Sequence, residues 1–117
     1  DMALPLFTGV DASLGRDHPD LPELVVRCQL ELLRDVESLL EGTGASVSEV
    51  HFSKRQGFTV YAGRAEVLFS HGDFDRQFAK LDYLVSEEGL RLDSAIQVDL
   101  APEELAVVVP RAGARSG

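Results

Sequence analysis

A second cysteine is missing from this chain. Cys28 stands alone, so no internal disulfide can form, and a single thiol fits either a reducing or an oxidising compartment. Long apolar runs are missing too. No stretch approaches the roughly 20 residues that a membrane-spanning helix needs, and no signal peptide opens the chain. Bases are scarce: 11 Lys and Arg stand against 20 Asp and Glu, a net charge of −9. A surface that grips nucleic-acid backbone or anionic lipid needs a surplus of Lys and Arg, and no dense basic block supplies one locally. Repeats and low-complexity tracts are absent. Asp1 rather than an initiator Met comes first, so the chain is expected to be a piece of a longer protein.

What remains is an ordinary globular composition. The 117 residues are 44% hydrophobic and 26% charged, which suits one domain with one modest core. "ALPLFTGVDA" opens with a short strand, Ala3 to Phe7, where Pro5 marks an edge or a strand start because it has no N–H to donate. Residues 11–20 are polar with Gly and Pro and read as a loop. From Pro22 to Glu41 the apolar residues recur at helical spacing: Leu21, Val25, Leu32, Val36, Leu39 and Leu40 share a face, with Cys28 at its edge. Asp20 is the expected N-cap, and Gly42 or Gly44 the left-handed stop.

"VSEVHFS" (47–53), "GFTVYAG" (57–63) and "AEVLFS" (65–70) read as three short strands separated by turn residues, an antiparallel meander. Asp73 to Glu88 carries Phe74, Phe78, Leu81 and Val85 on one face, with Asp73 as N-cap and Gly89 just past the end. "SAIQVDL" and "LAVVVP" are two further strands joined by "APEE". The order is β-α-β-β-β-α-β-β. Strands adjacent in sequence favour antiparallel pairing, so the expected fold is α+β, an antiparallel sheet with two helices packed on one face. Residues 3–110 form the domain, and "RAGARSG" (111–117) reads as a flexible tail.

The chain offers little for chemistry. His18, His51 and His71 share no metal-ligand spacing and have no cysteine pair beside them. Cys28 is mid-helix without a histidine partner, which suits a small core residue rather than a nucleophile. "EGTGAS" (41–46) lacks both phosphate-binding glycine patterns and follows a helix, the wrong context for phosphate. Glu87 and Glu88 diverge by about 100° on a helix and do not converge on one substrate. Glu103 and Glu104 belong to a turn. The residues read as a protein that is not an enzyme and needs no cofactor; the rival is a small hydrolase using His51 or His71 with nearby acids.

The final strand breaks the pattern. Val107, Val108 and Val109 follow one another, whereas a strand covered on one face alternates. Either the strand lies inside the sheet, or it lies at the edge and meets another chain by strand addition. The second reading names Asp99, Glu103, Glu104, Leu105, Ala106, Val107, Val108 and Val109 as partner-binding residues, the acids favouring a basic partner segment.

"LPLFTG", a long helix, a strand meander, a helix with "KLDYLVSE", and "IQVDLAPEELAVVVP", in that order, resemble the C-terminal β-domain of the FtsQ/DivIB bacterial cell-division proteins. Val98-Asp99-Leu100 fits the family's closing motif and Ala106-Val107 its final strand; Ala101 and Pro102 stand where the family usually has an Arg and an aromatic. The resemblance implies a non-catalytic divisome scaffold outside the cytoplasmic membrane at the septum, anchored by one membrane helix and a POTRA domain upstream. It implies FtsB with FtsL as partners, FtsB adding a strand at the C-terminal edge. Pairing of that kind uses main-chain groups, which the changes at Ala101 and Pro102 leave in place. A generic interaction module of another envelope or secretion assembly is the alternative.

Overall fold

The computed structural model describes residues 4–10, 12–16, 18–103 and 105–111. The elements run β1 (Leu6–Thr8), a 3-10 turn (Ala12–Gly15), α1 (Leu21–Leu39), β2 (Val47–Ser53), β3 (Gly57–Ala62), β4 (Ala65–Phe69), α2 (Phe74–Ser86), β5 (Ile96–Asp99) and β6 (Val107–Pro110). This is the expected α+β order, with the 3-10 turn added inside the first loop, where Leu14 plugs into the core.

One six-stranded sheet carries the strands in chain order, β1-β2-β3-β4-β5-β6. The sheet is mixed rather than purely antiparallel. The β2–β3, β3–β4 and β5–β6 pairs are antiparallel, while β1–β2 and β4–β5 are parallel. The connections give the reason. A tight turn reverses the chain, but a helix crossover returns it to the end where it started. Both parallel pairs are the ones bridged by a helix, α1 and α2.

Both helices cover the same face. A row of valines crosses the sheet beneath them, Val50 opposite Val60, Val60 opposite Val67 and Val67 beside Val98, each fully buried. Val36 and Leu32 of α1 and Leu81 of α2 close over this row. At about 1.5–3 kcal/mol per large apolar side chain buried, this layer is the main source of stability. Two glutamines are buried with it. Gln29 of α1 donates from Nε2 to the Thr8 and Val50 carbonyls at 3.0 and 2.9 Å, clasping the β1–β2 pair. Gln77 of α2 holds the turn before its own helix.

The helix ends differ from expectation at one terminus and match at the other. Asp20 makes no side-chain cap bond to α1, and Asp73 sits in the left-handed region (φ 53°) with none to α2. The Asp73 carboxylate instead accepts from Arg76 Nη2 at 3.3 Å, while Gln77 organises the entry to α2. The stops are as expected: Gly42, Gly44 and Gly89 take φ of 82°, 87° and 72°, where a side chain would be strained.

Candidate functional site

The site grows from β6. Its three β-branched residues favour extended backbone, and β5 is the one strand beside it among the described residues. The register sets Asp99 opposite Val107, Val98 opposite Val108, Gln97 opposite Val109 and Ile96 opposite Pro110. Val108 therefore extends the buried valine row, but no helix reaches over it. Val107, Val108 and Val109 are 41%, 41% and 40% exposed. The strand lies at the sheet's edge, not in its middle.

The direction of the main-chain groups follows from two hydrogen bonds. Arg111 N–H donates to the Ala95 carbonyl at 3.0 Å, one step beyond the paired residues. Bonded pairs alternate in an antiparallel ladder, so Val107 and Val109 turn their N–H and C=O toward β5. From the other side, Leu100 N–H donates to Leu68 C=O at 3.1 Å, so Leu100 and Val98 face β4, leaving Gln97 and Asp99 to face β6. The outer edge of β6 thus presents the N–H and C=O of Val108, and the C=O of Pro110, which has no N–H.

Both ends of β6 are fastened. At its start, Lys80 of α2 donates from Nζ to the Pro102 carbonyl and, at 3.1 Å, to that of Leu105. Arg76 donates to the Glu103 carbonyl at 3.0 Å. At its finish, Arg111 crosses the open face of the sheet. Its Nε donates to Glu66 Oε2 at 2.7 Å, its Nη1 donates to the Arg64 carbonyl at 3.0 Å, and its guanidinium lies 5.5 Å from the centre of the Tyr61 ring. Burial pushes the Lys80 ammonium down from its ordinary value, Arg76 adding to the shift while Asp99 and Glu103 oppose it. Between α2 and the chain leading into β6 runs a groove of about 470 Å³, lined by Ala79, Tyr83, Leu84, Leu105 and Ala106.

The eight residues singled out from sequence fall as follows. Val107, Val108 and Val109 form the edge itself. Asp99 lies on β5 directly beside them, its Oδ1 accepting the Ala101 N–H at 3.0 Å to turn the chain out of the strand. Leu105 and Glu103 are exposed in the connection and Ala106 is half-buried. Glu104 lies outside the described residues. Arg76, Lys80 and Tyr83 carry a weak sequence signal, because a cation or tyrosine on an exposed helix face reads as solvated surface, and Arg111 falls in the stretch that reads as a tail.

The groups a catalytic reading would use are engaged structurally. Thr8 Oγ1 lies 2.5 Å from Glu49 Oε2 and 2.8 Å from His51 Nδ1, a link between β1 and β2. His71 Nε2 lies 3.0 Å from the Lys54 carbonyl, its ring edge-on to Phe52 and Phe58. Burial pushes the Cys28 thiol up, with Glu31 adding to it and Arg27 opposing, which makes it a poorer nucleophile than a free thiol. Among the described residues, no three His, Cys, Asp or Glu side chains gather as a metal site, and no helix is long and apolar enough to cross a membrane.

A family model described as "Cell division protein FtsQ/DivIB, C-terminal" matches residues 1–101. The chain belongs to that family. No curated protein matches it. As an FtsQ/DivIB family member the chain has a role in cell division, in a family of division scaffolds associated with the bacterial septum and not known as enzymes. Divisome proteins are the family's partners in general. The matched span takes in β1 to β5, and the FtsQ/DivIB domain's open edge strand follows it.

Proposed function

We propose that residues 3–110 form a non-catalytic divisome scaffold domain that recruits FtsB- and FtsL-like partners by strand addition at the outer edge of β6. The reading places the domain on the extracytoplasmic side of the bacterial cytoplasmic membrane, with a single membrane helix upstream. One observation carries it: the Val108 N–H and C=O face outward from an edge strand whose side chains stay exposed. Unpaired strand edges are templates for another chain. A partner strand there would satisfy these groups and cover the valines, and its side chains on the helix side would enter the groove beside α2. Asp99, Glu103 and Glu104 favour a basic segment.

The test is binding of the purified domain to the extracytoplasmic segment of the FtsB-like protein from the same organism. Val108→Lys is expected to weaken binding by about tenfold or more while the melting temperature stays within a few degrees of the parent. Undiminished binding by that variant would place the partner elsewhere. Loss of the fold would mean that Val108 belongs to the core.

A further inference from the structure

We propose that Lys80 and Arg76 are positioning residues for the docking edge: from α2 they hold the carbonyls that lead into β6, and so keep that strand laid against β5 before any partner arrives. The inference rests on the docking reading above and adds the device that keeps the edge ready.

Arg111 fastens the finish of β6, but little else holds the strand. It has one neighbouring strand, four paired residues, and no helix above it. Burial therefore contributes far less here than at β3 or β4, whose inward residues are fully covered. The approach from β5 to β6 is irregular chain, and irregular chain gains order from the groups that take its carbonyls. Among the described residues of this connection, the carbonyls of residues 102, 103 and 105 find those groups on α2. Lys80 takes Pro102 and Leu105, which brackets the connection, and Arg76 takes Glu103 between them. Both bases lie on the α2 face nearest β6, and α2 is itself fixed to the sheet through Leu81, which is fully buried. The rigid core thus reaches the edge through two cations.

The consequence is a matter of ordering. A partner strand gains hydrogen bonds at Val108 and Pro110 only when β6 already lies along β5. If the connection wanders, binding must also order it, and affinity falls. The acceptors are on the surface, so water replaces the lost donors when Lys80 or Arg76 is removed, and the core is left intact.

Amide hydrogen exchange reads this directly in the free domain. The Val107 and Val109 amides bond to β5, so their protection reports whether β6 is docked. Lys80→Met keeps the apolar stem and removes the ammonium. It is expected to lower protection at Val107 and Val109 by about tenfold, the scale of a hydrogen bond from a charged donor, while Val60 and Val67 keep theirs. Affinity for the same FtsB-like segment is expected to fall in step, and Lys80→Arg to restore both within about threefold. Unchanged protection at Val107 and Val109 would overturn the clamp. So would an equal loss at Val60, which would make Lys80 a support of the core. Lowered protection with unchanged affinity would overturn its role in docking. If the parent domain itself fails to bind the segment, the docking reading falls, and the exchange measurement still decides whether the clamp exists.

Discussion

The Gln77 side chain accepts the Ser70 N–H at 2.8 Å through Oε1 and donates from Nε2 to the Ser70 and Gly72 carbonyls at 3.2 and 2.7 Å. It is fully buried, while the turn it holds is open to water at Gly72. Gln77→Leu keeps the volume and leaves one donor and two acceptors of the turn with no partner. Unsatisfied buried groups cost about 1–3 kcal/mol each, relieved where water reaches the exposed Gly72, so a loss of about 2 kcal/mol in urea denaturation is expected. A loss below about 1 kcal/mol would show that the turn holds itself. Gln29 has a related place under β1 and β2, though its Oε1 has no partner within the described structure. Periodicity sets Gln77 beside the apolar face of its helix without showing that it is buried, and it sorts Gln29 with the polar positions. A buried amide is visible only once the carbonyls it serves are in place.

At the scale of elements, hydrophobic periodicity was enough to place both helices and the three central strands within a residue or two. β2 occupies 47–53 and α2 occupies 74–86, because alternating and 3.6-residue patterns each demand one covered face. Strand direction was less legible. Adjacency in sequence favours antiparallel pairing, and only the recognition that α1 and α2 are crossovers makes β1–β2 and β4–β5 parallel. The edge was legible in part: three successive valines said that β6 departs from one-sided burial, but not which of its amides face out. That alternation makes a sharp prediction. Proline removes one N–H and is tolerated where the N–H points away from the sheet. Val108→Pro is expected to leave the melting temperature nearly unchanged and to weaken partner binding about tenfold. Val107→Pro should disturb the β5 ladder and lower exchange protection at Val109. If the two variants behave alike in melting and in exchange, the register assigned here is wrong.

At the scale of the whole molecule, the sheet has two open edges among the described residues, β1 and β6, and copies of a protein with open edges tend to pair. Two features oppose this. Each edge is short, three residues in β1 and four in β6, and Pro110 withholds a donor where a longer ladder would continue. The second is the net charge of −9, which repels like copies while admitting a partner of opposite sign. Charge then acts as selection at the docking edge, and the selection should weaken where the charge does. At neutral pH and low salt the isolated domain is expected to sediment as a monomer. Self-association is expected to grow toward the sequence isoelectric point of about 4.6, and to a smaller degree as salt shortens the screening length to about 10 Å near 0.1 M. Val108→Pro changes no charge, so it separates the edge from general insolubility. If association near the isoelectric point runs through β6, the proline variant remains monomeric under conditions where the parent pairs. Equal association of the two would place self-contact on another surface, and would mean that the acidic surface guards something other than this strand.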